Sequence, residues 1–249
     1  MYTFIEEGVI MIVRDVKELD KIALESKEPI DIGYYGNTYK IDENYVLKKF
    51  NSEELVLSLE KNHTESFLDY LNKLSDKESK ILVTPEEVFK DDHGYVWAYI
   101  SEYVNGKKLS SEIGEVDINA FVEALRDFYQ ELKKLDNLVL YNANEANLIL
   151  GSDLKLTNLD LARFERYLDY DDVLRENLQR LNVSIYRSVI GKSTYGRLLD
   201  VNLREIIDAI TRGEDSLPIL LTEYIEYINR HYFEVKHVKD LRYPYGSTM

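Results

Sequence analysis

Residues 137–150 read N-L-V-L-Y-N-A-N-E-A-N-L-I-L, and they set Asn142, Asn144 and Asn147 in the gap between two apolar runs. A polar loop between two strands is a common seat for the side chain that moves a proton in catalysis. That work needs a group that takes and returns a proton near neutral pH, and a carboxamide does neither. Other residues suggest phosphate chemistry. G-Y-Y-G-N-T-Y-K (33–40) places Gly33 and Gly36 three apart, a spacing that more often makes a plain turn but also lets backbone N–H groups approach phosphate closely. In V-L-K-K-F, Lys48 and Lys49 must face opposite sides of a strand, so one of them can point inward to an anion.

These groups need a scaffold, and the composition supplies one. The 249 residues suit one large domain or two lobes sharing a cleft, and 45% apolar residues provide a core. With 46 acidic against 31 basic residues the net charge is −15, which disfavours nucleic acid and anionic lipid and leaves protein partners. The absence of cysteine removes thiol chemistry and fits a reducing compartment. His63, His93, His231 and His237 stand singly, without zinc-ligand spacing. The N-terminus lacks a basic start, and no apolar run approaches the roughly 20 residues of a membrane span, so a cytoplasmic protein is expected.

The first hundred residues read as short strands broken by polar turns. D-I-G-Y-Y-G-N-T-Y-K-I and Y-V-L-K-K-F flank the hairpin turn D-E-N. A helical pattern runs from about Ser52 to Leu74, and Y-V-W-A-Y-I-S-E-Y-V reads as a strand after the turn K-D-D-H-G. Beyond Gly106 the pattern is helical, beginning with an amphipathic helix over 117–135 for which Asp117 is the N-cap. The expected organisation is an N-terminal extension (1–24), a strand-rich lobe (25–105) forming an antiparallel sheet with one helix, a helical lobe (106–235) and a C-terminal tail (236–249). The tail's tyrosines suit docking to a protein.

That order of elements resembles the protein-kinase fold, an α+β, bilobal architecture with a small strand-rich N-lobe and a larger helical C-lobe. Gly33 and Gly36 match the second half of its glycine-rich loop, with Asp31 where the first glycine belongs. Lys48 matches the lysine that reaches the nucleotide phosphates, and its helix partner is Glu65 or, as the alternative, Glu60. Ser101 takes the gatekeeper position, and the backbone around Glu102 and Val104 would face an adenine. N-L-Q-R-L-N-V-S-I-Y-R-S-V-I-G (177–191) follows the central C-lobe helix, with Asn177 in place of its opening aspartate.

The resemblance places Leu140, Tyr141 and Asn142 on H-R-D, so an amide stands at the catalytic-base position and another, Asn144, two residues on. The D-F-G triplet has two registers. Asn158-Leu159-Asp160 matches the strand residues better and leaves the metal facing the neutral oxygens of Asn147 and Asn158. Asp160-Leu161-Ala162 would keep one acid. Only 16 residues separate Asp160 from Asn177, without A-P-E. The resemblance therefore implies a pseudokinase acting as a binding, regulatory or scaffold module, with a weak site for ATP and weak or no magnesium binding. The alternative is an atypical ATP-dependent kinase or nucleotidyl transferase that uses Asp160 for metal. An antibiotic-phosphotransferase-like kinase is a further option, which Asn142 opposes.

Overall fold

The structure, a computed structural model, describes residues 11–22, 28–61, 63, 65–75, 79–110, 113–135, 140, 144–161, 173–190, 206, 208–209, 212–231 and 233–242. These residues fall into two compact units. One runs up to Val104 and takes in Leu161; the other comprises Asn105–Asp160 and the described residues from Val173 onward. No described helix is long and apolar enough to cross a membrane.

The first unit is built on a six-stranded sheet in the order β1-β5-β6-β4-β3-β2. Its strands are β1 (Ile12–Asp15), β2 (Asp31–Ile32), β3 (Gly36–Lys40), β4 (Tyr45–Phe50), β5 (Pro85–Lys90) and β6 (Val96–Glu102). Aspartates fold the hairpins. Asp42 Oδ1 accepts the N–H groups of Asn44 at 2.8 Å and Tyr45 at 2.9 Å, closing the D-E-N turn between β3 and β4. Asp91 does the same between β5 and β6, accepting from His93 and Tyr95 and also from Trp97 Nε1 at 3.0 Å. Burial alone would raise the Asp91 pKa, but these three donors outweigh it and hold the carboxyl below its ordinary value.

All strands of the sheet drawn from residues 25–105 pair antiparallel. The sixth strand, β1, comes from the segment assigned to an N-terminal extension and runs parallel to β5. The helical pattern over 52–74 is not one helix. It breaks into α1 (Glu53–Ser58) and α2 (Phe67–Ser75), each with its own serine cap. Ser52 Oγ accepts the Leu55 N–H, and Ser66 Oγ accepts the Asp69 N–H at 3.1 Å. Glu60 explains the break: its carboxylate accepts the Phe67 N–H at 2.9 Å, satisfying the start of α2 rather than prolonging α1.

Alternation gives the sheet two packed faces. Phe50 and Tyr99 lie on one, where the Phe67 ring of α2 sits 6.1 Å from Phe50. Leu47, Phe89 and Ala98 lie on the other and pack with Leu19, which belongs to a 3₁₀ turn (Val16–Lys21) directly after β1.

The second unit holds a small sheet, β7 (Gly106–Lys108), β8 (Leu148–Gly151) and β9 (Leu156–Asn158), with four described helices. These are α3 (Ile118–Leu132), α4 (Val173–Ile185), α5 (Leu217–His231) and α6 (Val238–Arg242). Asp117 caps α3 by accepting the N–H groups of Asn119 and Ala120, both at 3.0 Å. Arg126 Nη2 reaches Thr222 at 3.1 Å and ties α3 to α5. A π-helical turn (Tyr186–Ile190) continues α4. Residues 236–242, which the tail was expected to include, belong to this unit. The Ile118 N–H bonds to Lys236 O, the Val238 N–H bonds to Val116 O, and Val238 and Leu241 are buried.

Gly106 pairs with Gly151 so closely that a Cβ would lie 2.4 Å from Leu150 O and 2.8 Å from the Gly151 Cα. No side-chain rotation relieves a clash with backbone. The Gly106→Ala variant is expected to lose about 1–3 kcal/mol of stability, read as a lower urea midpoint; an unchanged midpoint would mean β7 does not pack against β8 in this way.

Candidate functional site

In the first unit, the residues expected to bind nucleotide lie on the loop before β3 and on β4 and β6. Gly33 and Gly36 bracket a turn closed by the Gly33 N–H on Gly36 O at 3.0 Å, and Asn51 Nδ2 donates to the carbonyls of Gly33 and Tyr34. Gly36 is there for space. A Cβ on it would stand 2.5 Å from Lys49 O, so β3 can lie against β4 only without a side chain. The turn presents Tyr34 to solvent at 81% exposure, with the Tyr35 ring edge-on at 4.8 Å.

Lys48 pairs with Thr38 on β3 and Tyr99 on β6, and it shares their face, the one packed by α2. Lys49 is exposed on the other face. Ser101, opposite Val46, is buried on the same face as Tyr99 and Lys48. Phe50, Phe67, Tyr70 and Tyr99 pack with one another in stacked and edge-on contacts. Glu102 is exposed at the end of β6, and Val104 follows in the link to the second unit. Both candidate acids have structural bonds of their own. Glu65 pairs with Lys73 along α2, and Glu60 caps the same helix.

In the second unit, Asn142 lies outside the described residues, as do Tyr141 and Ala162. Asn144 and Asn147 form the turn that launches β8. Asn144 Oδ1 accepts the Ala146 N–H at 2.9 Å, and its backbone oxygen accepts the N–H groups of Asn147 and Leu148. Asn147 O takes the Leu159 N–H at 2.9 Å, extending the β8–β9 ladder by one rung. Asn158 stands opposite Leu148 and shares its buried face, whereas alternation assigns Asn147 to the opposite face. Asn158 is 1% exposed; its Nδ2 donates to Asp160 O at 3.2 Å, and its Oδ1 meets no hydrogen-bond donor. Asp160, just past the strand, is also buried. Among the described residues no three His, Cys, Asp or Glu side chains cluster as a metal site.

Asn177 acts at a distance along the chain. Buried in α4, it accepts the buried Leu140 N–H at 2.8 Å and so fixes the backbone that leads into residues 141–144. Sequence reasoning noted Asn177 only as a substitution. It missed a second buried amide, Asn182, which accepts the Tyr129 hydroxyl and donates to Glu214 O at 2.9 Å. A polar residue recurring inside the apolar stripe of a helix was the available signal.

No family model matches the sequence, and no curated protein does. Solved structures do. One is a pseudokinase in its apo form, with a TM-score of 0.54 and 12% identity over 97% of this chain and 87% of that one. Another is the pseudokinase DRIK1 (drought responsive inactive kinase 1) in co-crystal with ENMD-2076, with a TM-score of 0.54 and 13% identity over 93% of this chain and 94% of that one. At such identities the likeness defines the fold: this chain has an α+β, protein-kinase-like fold.

Burial raises the Tyr129 hydroxyl well above its ordinary pKa, with the Asp215 carboxylate adding to the effect. The hydroxyl is neutral in the folded state when the unfolded chain begins to ionise near pH 10. Its contribution is therefore complete below about pH 10 and lost as pH rises toward the folded pKa. The Tyr129→Phe variant should lose less stability than wild type between pH 9 and 11 in denaturant titrations, and equal losses would refute the assignment.

Proposed function

We propose that the chain is a catalytically inactive kinase-like protein that serves as a binding or regulatory module. The carrying observation is the state of Asn158, an amide buried on the core side of the β8–β9 ribbon and bound to the Asp160 carbonyl. A metal-binding carboxylate in that setting would be a buried charge with no donor, whereas the amide is neutral and half satisfied. Asn144 and Asn177 support the same reading, because their side-chain oxygens are occupied by backbone N–H groups. The names of the structural neighbours agree with it: both are pseudokinases, and one of them binds ENMD-2076.

Phosphoryl transfer relies on positioning and on metal neutralising the developing charge. With amides at the base and metal positions, turnover should be undetectable while weak nucleotide affinity through Lys48 and the Gly33–Gly36 turn survives. Asp160 favours a second reading, an atypical kinase or nucleotidyl transferase, since its carboxylate stands just past β9. Radiolabelled ATP with magnesium or manganese separates the two. Wild type and Asp160→Ala should both leave generic substrates and themselves unlabelled, and labelling by wild type alone would make the protein an enzyme with Asp160 as its metal ligand. Thermal shift with ATP adds the ligand side: a shift that does not need metal is expected, and one that appears only with metal would count against inactivity.

A further inference from the structure

We propose that Ile12–Ile22 is a detachable strap, a structural element that closes the sheet's outer face and opens while the other five strands stay folded. Among the described residues, three things hold it. The first is one edge ladder, in which β1 pairs with β5 from Ile12↔Glu87 to Asp15↔Lys90. The second is a two-pronged ion pair, Arg14 Nε to Glu87 Oε2 at 2.6 Å and Nη2 to Oε1 at 2.9 Å, with Glu18 at 3.6 Å the other acid beside the guanidinium. The third is an apolar row. Side chains three apart eclipse in a 3₁₀ turn, so Val16, Leu19 and Ile22 stand in line, and Leu19 is buried against Leu47, Phe89 and Ala98.

None of the other ladders runs through the strap. β5 keeps β6, β6 keeps β4, and β4 keeps β3 when β1 leaves. Such a peripheral unit, with few fully buried side chains, opens at lower free energy than the whole domain. Opening uncovers the β5 edge together with Leu47, Phe89 and Ala98. Leu47 immediately precedes Lys48, so the strap packs the back of the strand whose front carries the lysine. The fold thus contains a latch on the outer face of β4, made by residues that make no part of the proposed nucleotide site.

Native-state hydrogen exchange on the full chain tests this. The amides of Ile12–Ile22 and of the β5 edge should exchange as one set, less protected than β3, β4 and β6. Arg14→Ala should speed that set by about tenfold and leave β3, β4 and β6 unchanged, in line with loss of a charge-assisted bond. Glu87→Gln keeps the side-chain shape and should act in the same direction. Because the chain has no cysteine, Val13→Cys with Val88→Cys gives a clean crosslink across a registered pair. Oxidised, it should abolish the acceleration caused by Arg14→Ala. Uniform acceleration of all six strands, no acceleration at all, or an oxidised pair that leaves the fast set unchanged would each overturn the proposal. None of these readouts depends on nucleotide binding, so the strap and the proposed function stand or fall separately.

Discussion

A buried backbone N–H must find an acceptor, and in the second unit that requirement falls on amide side chains. The buried Leu140 N–H is taken by Asn177 Oδ1 at 2.8 Å. Leaving such a donor unsatisfied costs about 1–3 kcal/mol, a sizeable fraction of a domain's net stability. An amide meets the need without bringing a charge into the core. Asn144 accepts the Ala146 N–H in an exposed turn, and Asn182 answers two other groups, accepting the Tyr129 hydroxyl and donating to the Glu214 carbonyl. Neutral, directional bonds from asparagine thus add to the apolar packing and ion pairs of the second unit.

The first unit is organised around β4. Its residues alternate between the aromatic face, with Lys48 and Phe50, and the outer face, with Leu47 and Lys49. Each face has its own cover: α2 through Phe67 on one side, the 3₁₀ turn through Leu19 on the other. Gly36 lets β3 approach, since a Cβ there would strike the Lys49 carbonyl. The glycine that reads in sequence as a phosphate contact is thus also required by strand packing. Its presence alone does not separate the two roles.

Much of this was legible in the sequence because local patterns were strong. The D-E-N and K-D-D-H-G turns, the Asp117 cap and the 2.0-residue and 3.6-residue periodicities specify the hairpins and α3 directly, and their order led to the kinase-like fold. What escaped depends on long-range pairing. Nothing local marks Ile12–Asp15 as a parallel partner for Pro85–Lys90, since the ladder is formed across more than 70 intervening residues, as the Arg14–Glu87 separation of 73 shows. The break between α1 and α2 escaped for a related reason. Apolar residues continue at helical spacing on both sides, and the second helix start is marked by the Ser66 cap and by the carboxylate of Glu60 returning to the Phe67 N–H. At the site, the amides were visible as residue types, but not that Asn158 faces the core while alternation turns Asn147 away from it.

The replacement of acid by amide has a consequence for folding as well as for chemistry. A carboxylate buried at position 158 would hold an unpaired charge whenever no cation was bound, so the stability of the unit would be linked to its ligand. Asn158 removes that linkage: one arm of the amide is bonded to Asp160 O, and the unbonded oxygen is a neutral carbonyl whose desolvation costs far less than that of an anion. The same holds for Asn177, which presents one acceptor to Leu140 and needs no counter-charge. Loss of charge and retention of shape are therefore compatible at position 158, where a neutral amide keeps the bond to the Asp160 carbonyl.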